Sequence, residues 1–380
     1  MNFLLFYIFF YAGNAVQTFV PVYLNSIKLS QTTIGVLLAI GPFVALFAQP
    51  LWGIACDRAK TKNTILKILL LGGSCTFILY PLSRSYYYIF MIMFLFTLFY
   101  TSIAAISDTI TLEYLESTSW SFGKIRMGGT FGYAIMSLVA GVIVKHNIKY
   151  TFILYPVIIL IAFLIVFNFP EISGYQSKHK KISILKLFEN RKLVTLMIFV
   201  TILHITLGFY YSFFAIYFKQ LGGDSRLLGL SMFISAICEL PFLLFADKII
   251  KKLGIIQTLA ISGFVMGIRW LLLYIITNIY IVTFVNVLHG FSFIVLTYCM
   301  AVYINNEVPK ELKASGQALN GLMCIGLSRV IGSIFGGYLS DVFGIRPVFL
   351  FTSIVNFVVV IAFVILFRFK YSKWETSSLT

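Results

Sequence analysis

The chain has 380 residues, 60% of them hydrophobic and only 11% charged, with a mean hydropathy of +0.95. Soluble domains carry about a quarter charged residues, spread through every element, so a soluble fold is excluded. The formal net charge of +16 raises nucleic acid as a partner, but the distribution of that charge, given below, argues against one.

Long uncharged runs such as 85–107 and 151–170 reach the roughly 20 apolar residues a helix needs to cross about 30 Å of hydrocarbon. They lack the alternation of barrel strands, and a backbone in lipid must satisfy its own hydrogen bonds. Twelve helical spans are therefore predicted, near 3–25, 33–56, 64–83, 86–110, 127–145, 150–169, 193–218, 227–246, 255–277, 280–304, 315–340 and 347–368. The first begins close behind Met1 with no basic region or Ala-x-Ala site, so it reads as a helix rather than a cleaved leader. Residues 171–192 are polar and basic, with six spans on either side. The expected organisation is a six-helix bundle over 1–170, a central loop over 171–192, a second bundle over 193–370 and a tail over 371–380.

An even number of spans puts both termini on one side, and the loops of that side hold most of the basic residues, including Lys178, Lys180, Lys181, Arg191, Lys251 and Lys252. This positive-inside bias predicts cytoplasmic termini in a cytoplasmic (inner) membrane, and makes the charge a topology signal. The expected partners are the bilayer and a small molecule, with no nucleic acid and a monomeric chain. Cys56, Cys75, Cys238, Cys299 and Cys324 fall in or at the ends of spans without a Cys-x-x-Cys pair. They predict packing roles and neither disulfide nor metal.

Behind the second span the chain reads Gln49-Pro50-Leu51-Trp52-Gly53-Ile54-Ala55-Cys56-Asp57-Arg58-Ala59-Lys60-Thr61-Lys62. Gly53 would allow close helix approach, and Asp57, Arg58 and Lys62 could form a breakable charge network at one face; the plainer reading is that the cations only set topology. Asp57-Arg58 after the second span is echoed by Asp247-Lys248 after the eighth. Gly-x-x-Arg-x-x-Gly recurs at 123–129 in the fifth span and 326–332 in the eleventh. Matches at equivalent positions point to a tandem repeat. The 49–62 segment resembles the signature of the major facilitator superfamily, Gly-x-x-x-Asp-[Arg/Lys]-x-x-x-[Arg/Lys]. That resemblance implies an all-α membrane protein of twelve transmembrane helices in two pseudo-symmetric six-helix bundles.

An ionised group at mid-membrane usually faces a cavity or a partner, which singles out Asp108, Arg126, Glu239, Arg269, His289 and Arg329. Phe19-Val-Pro21-Val-Tyr23-Leu24 and Phe122-Gly123-Lys-Ile-Arg126-Met127 resemble the oligosaccharide–proton symporters, the group of lactose permease. Glu239-Leu-Pro241-Phe242, Ile268-Arg269-Trp270 and Leu288-His289-Gly290 are similar to its phenylpropionate-permease-like branch. The resemblance implies that Asp108 and Arg126 grip substrate, that Tyr133 stands where the family stacks a Trp on sugar, and that Glu239, Arg269 and His289 complete the site. It implies Glu239, Asp108 or His289 as proton-coupling groups, because the family's proton-bearing glutamate is replaced by Ser292. The family's Lys three residues before the histidine is Asn286, and its aspartate partner falls among Ser212 and Phe213. Arg329 is left between pairing with Glu239 and facing an anionic substrate, and His204 between packing and an interhelical hydrogen bond.

The expected function is secondary transport by alternating access. The chain would import a sugar, nucleoside or aromatic acid by proton symport, with the proton gradient as driving force and no cofactor. A uniporter or a drug or metabolite exporter of the same fold is the alternative, and a membrane-embedded sensor or enzyme a remoter one. No phosphate-cradling Gly-x-x-x-x-Gly-Lys loop is present to suggest ATP drive.

Overall fold

A computed structural model describes residues 2–115, 118, 120, 122–172, 187, 190–309 and 312–367. The expected tail 371–380 and most of the central loop, with its Lys178–Lys181 cluster, lie outside the described residues. Among the described residues, twelve helices are long and apolar enough to cross a membrane: α1 (Asn2–Ser26), α2 (Gln31–Arg58), α3 (Lys62–Leu82), α4 (Tyr86–Leu115), α5 (Phe122–His146), α6 (Ile148–Val166), α7 (Arg191–Gln220), α8 (Ser225–Leu253), α9 (Ile255–Ile275), α10 (Ile279–Glu307), α11 (Ser315–Phe343) and α12 (Ile345–Leu366). Their outer faces are apolar where a soluble protein would be polar: Leu82, Phe284, Val358 and Ile361 are all exposed. Such a belt is what lipid contact requires.

α1 packs on α5 and α6 and α3 on α6, while α12 packs on α9 and α11 on α7, so each set of six helices is built largely on itself. The sets meet along two main seams, α2 against α11 and α5 against α8. Both seams are tight toward the face opposite the chain ends. A Cβ on Gly35 of α2 would lie 2.2 Å from the Ser333 carbonyl oxygen of α11, and one on Gly229 of α8 2.2 Å from the Ser137 carbonyl oxygen of α5. Only a residue without a Cβ lets two backbones come this near.

At that face Asp341, near the end of α11, accepts hydrogen bonds from the Gln31 N–H (2.8 Å), the Thr32 N–H (2.8 Å) and the Thr32 hydroxyl (2.6 Å) at the start of α2. A carboxylate so placed satisfies the orphan donors of a helix N-terminus and meets its positive dipole end. Lys145 of α5 pairs with Asp224, the N-cap of α8, at 3.1 Å. At the face carrying the chain ends the seams part, and Gln49, Pro50, Asp57, Arg58 and Asp247 are exposed.

Several helices are interrupted near mid-depth. α1 breaks at Thr18-Phe19 and α8 at Cys238. Each break falls just ahead of a proline, Pro21 and Pro241, which cannot donate to the carbonyl one turn back. α4 breaks at Thr101-Ser102, α10 passes through a 3-10 segment at Asn286–Phe291, and α11 through a π segment at Gly321–Leu327. Broken membrane helices expose backbone polar groups and are tolerated where they line a cavity or are buried in protein. α5 begins at Phe122, so Arg126 lies a turn inside the helix rather than at its opening.

Candidate functional site

Two cavities of about 800 and 770 Å³ lie between the two sets of helices, one flanked by α2 and α11, the other by α5 and α8. They share Gln17, Thr18, Tyr100, Tyr211 and Arg329. Of the residues singled out in the sequence, Arg126, Tyr133, Glu239 and His289 line the second cavity, whereas Asp108 and Arg269 line neither.

On the side of the first six helices, Arg126 is the exposed member of a small cluster. Its guanidinium lies over the Tyr11 ring at 4.2 Å and its Nε is 4.0 Å from Asp108 Oδ1. Asp108 sits behind it, accepting a 2.5 Å hydrogen bond from the Tyr7 hydroxyl. The carboxylate thus orients and neutralises Arg126, leaving the arginine to reach the cavity. Tyr133 presents its ring to the cavity with its hydroxyl 3.4 Å from that of Thr18.

On the side of the last six helices, Arg269 is fully buried. Its Nη1 is 2.8 Å from His289 Nδ1, its Nη2 donates to Asn286 Oδ1 at 2.5 Å, and Tyr210 covers its face at 4.1 Å. A guanidinium only donates hydrogen bonds, so His289 Nδ1 must be the acceptor and the ring proton resides on Nε2. That nitrogen faces Glu239 Oε1 at 3.4 Å and the Tyr211 hydroxyl at 3.3 Å. Arginine, imidazole and carboxylate therefore form a chain running from the buried packing of α9 to the cavity, with Glu239 at its wet end. The break in α10 brings His289 there. Gly290 abuts the break in α8 so closely that a Cβ on it would lie 1.8 Å from the Cys238 carbonyl oxygen.

Asn286 accepts from Tyr210 (2.7 Å) and donates to Ser231 (2.6 Å), while Ser212 meets Ser333 at 2.7 Å. The two positions that would carry the family's ion pair thus find separate partners, Ser212 a serine and Asn286 the Arg269 guanidinium with Tyr210 and Ser231. Ser292 donates back to the His289 carbonyl at 2.8 Å and is buried. His204 bonds the Val200 carbonyl of its own helix at 2.9 Å, so it makes no bond to a neighbouring helix through Nδ1. Cys75 is exposed, so packing is not its role; it lies on an outer face of α3.

The 49–62 segment does not form one joined charge network. Lys62 is buried and bonded to Glu113 of α4. Asp57 and Arg58 are exposed with no ion pair among the described residues, and a Cβ on Gly53 would meet nothing within 4 Å. Asp247 accepts from the Tyr298 hydroxyl at 2.8 Å, and Lys248 lies 5.8 Å from the Phe245 ring. These groups sit where the seams have parted, so in this conformation they have nothing to close against.

Sequence reasoning missed the tyrosines. Tyr7 and Tyr11, one helical turn apart, carry Asp108 and Arg126, and Tyr210 and Tyr211 carry Arg269 and Arg329. The four-residue spacing of the first pair was a readable signal. Arg329 lines both cavities over the Tyr211 ring at 4.6 Å. No carboxylate lies within ion-pair distance of it among the described residues, so it is not paired with Glu239 here.

The model of the MFS_1 like family matches residues 1–351. The maltose permease of Geobacillus stearothermophilus is 26% identical over 367 residues, covering 96% of this chain and 93% of the permease. The uncharacterized transporter YwbF of Bacillus subtilis (strain 168) is 25% identical over 361 residues, covering 92% and 89%. The crystal structure of the nucleoside transporter NupG superposes with a TM-score of 0.87 at 18% identity, covering 97% of this chain and 99% of that one.

Proposed function

The chain belongs to the MFS_1 like family, a multi-pass membrane transporter and not an enzyme, and from that premise we propose that it imports a small organic solute by proton symport. The solute is a sugar, nucleoside or aromatic acid, in keeping with the maltose and nucleoside named for its relatives. Residues 1–170 and 193–370 act as two rocking bundles, joined by 171–192 and followed by the tail 371–380. The face with the chain ends is cytoplasmic, the membrane is the inner membrane, the chain works as a monomer, and the proton gradient replaces any cofactor. Nucleic acid has no part in this reading.

The observation that carries the proposal is the cavity itself, with Arg126 presented from one bundle and the Arg269–His289–Glu239 chain from the other. A substrate bridging them couples its presence to the distance between bundles, which is what alternating access requires. Arg126, steadied by Asp108, offers a planar fork to a hydroxyl pair or carboxylate. Tyr133 offers a ring face. His289 Nδ1 is engaged by a permanent cation, which opposes its protonation, so Glu239 is the proton carrier: it takes a proton from outside when the outer face is open and releases it inward. Gly53, Asp57, Arg58, Lys62, Asp247 and Lys248 belong to the cytoplasmic gate, which would re-form when the outer face opens.

Facilitated diffusion is the second reading, favoured by Ser292, whose hydroxyl is turned onto its own backbone where the related symporters hold a proton-bearing glutamate. Reconstitution into proteoliposomes separates the two. Symport predicts that an imposed inward proton gradient drives accumulation; uptake that follows only the solute gradient would leave facilitated diffusion. In either case Arg126→Ala should abolish uptake while membrane insertion is retained, and normal uptake by that variant would remove Arg126 from the site.

A further inference from the structure

Among the described residues, the charges buried between the helices do not balance. Asp108 accompanies Arg126, Glu239 accompanies Arg269 through His289, and Lys62 is satisfied by Glu113. Arg329 is left over. It lies on α11 two residues beyond a π segment, a distortion common at functional sites, and it is one of the residues that line both cavities. Tyr211 supports the flat face of its guanidinium at 4.6 Å. Stacking of that kind leaves the edge, where the N–H donors lie, free to bond. No protein acceptor for those donors is present among the described residues.

We propose that Arg329 is an anion-recognition residue and that the substrate is a ring-bearing monocarboxylate. This rests on the transport reading above and narrows its solute class. Three observations favour a carboxylate attached to a ring. A guanidinium edge matches a carboxylate with two parallel hydrogen bonds. Among the described residues and with Glu239 ionised, one negative charge cancels the single surplus positive charge left by Arg126, Arg269 and Arg329 against Asp108 and Glu239. The walls of the second cavity, which Arg329 also lines, include the aromatic residues Tyr100, Tyr133, Tyr210, Tyr211 and Phe293, which suit a ring-bearing solute. If Glu239 carries one proton per cycle, a monoanion and a proton enter together and no net charge crosses the membrane.

The test compares matched probes that differ only in charge: glucuronate with glucose, and phenylacetate with phenylacetamide. Binding is measured by calorimetry on the purified full-length protein, and uptake in proteoliposomes. The expected result is that the carboxylate of at least one pair binds more tightly than its neutral partner. Arg329→Gln should weaken that carboxylate roughly 10- to 100-fold, the range for a hydrogen bond to a charged group, and leave the neutral partner unchanged. Arg329→Lys should restore part of the loss, since it keeps the charge but not the fork. Uptake should respond to a pH gradient and not to a potassium–valinomycin potential.

Neutral probes binding as tightly as their carboxylates to the unaltered protein would overturn the inference without any appeal to a variant. So would Arg329→Gln weakening both members equally, or uptake driven by membrane potential alone. Continued flux of neutral solutes would then leave the transport reading in place. Absence of flux for every solute screened, charged or neutral, would remove both.

Discussion

His289 shows how one neighbour fixes a side chain's chemistry. Histidine in a membrane is the obvious proton carrier by its ordinary titration range, yet here Arg269 occupies Nδ1 as a donor. The Nε2 side of the ring faces Glu239. On the transport reading proposed above, the imidazole orients the carboxylate rather than carries the proton. Glu239→Gln should therefore abolish accumulation driven by a pH gradient while exchange of labelled solute across the membrane continues. If that variant still accumulates solute against its gradient, the proton is carried elsewhere, and Asp108, the other carboxylate, becomes the carrier. Arg126, Glu239 and His289 were legible because polar groups stand out in apolar runs. Tyr7, Tyr11, Tyr210 and Tyr211 were not, because the chain has 22 tyrosines and composition does not say which of them meet a guanidinium.

At the scale of the helices, glycines and prolines decide where the site can form. Pro21 and Pro241 interrupt α1 and α8, and the break in α8 meets the 3-10 segment of α10 at Gly290. Gly290→Ala would drive a methyl into the Cys238 carbonyl. The expected outcome is a loss of about 1–3 kcal/mol, the usual cost of overpacking, seen as a lower unfolding temperature, with Glu239 and His289 moved apart. Gly229→Val acts differently, because its obstacle, the Ser137 carbonyl, is on the other side of a seam. A similar cost would fall on the closed face opposite the chain ends alone, shifting the balance between conformations roughly 5- to 150-fold. Hydrogen exchange over residues 225–235 should rise in that variant without a matching fall in overall stability; unchanged exchange there would mean the seam is not a moving contact.

At the scale of the molecule, the face opposite the chain ends is shut by two polar contacts across the seams, and neither depends on groups that titrate near neutrality. Burial pushes the Asp224 carboxyl up, but the Leu227 N–H and the Lys145 and Arg226 side chains outweigh it and hold it at about 2. A carboxylate ordinarily titrates near 3.9, so this contact contributes fully above about pH 4 and is lost as pH falls through about 2. Between about pH 5 and 8, hydrogen exchange at the C-terminal end of α5 and the N-terminal end of α8 should show no pH-dependent opening beyond the intrinsic chemical rate. A step in that window would mean that another group controls closure. Lys145→Ala should matter little, about 0.2–1 kcal/mol, because the pair is partly exposed. Asp341→Ala should matter more, about 0.5–2 kcal/mol, the range for losing a side-chain acceptor at a helix start, because the Gln31 and Thr32 N–H groups lose their acceptor while Ser30 still caps α2, and its effect should appear as opening of the α2–α11 seam rather than as melting of either helix.

Twelve membrane helices, their approximate ends and the family resemblance were determined by the sequence alone, because lipid imposes long apolar runs that leave little room for alternative readings. The polar intruders in those runs named Asp108, Arg126, Glu239, Arg269, His289 and Arg329 for the same reason. What only the tertiary structure decided was which of them keep company. It set Asp108 behind Arg126, sealed Arg269 away from the cavity, turned Ser292 inward and left Arg329 with a tyrosine face and, among the described residues, no carboxylate. Partnership between charges depends on distances of a few ångströms between helices far apart in the chain, and no local pattern of residues encodes such distances.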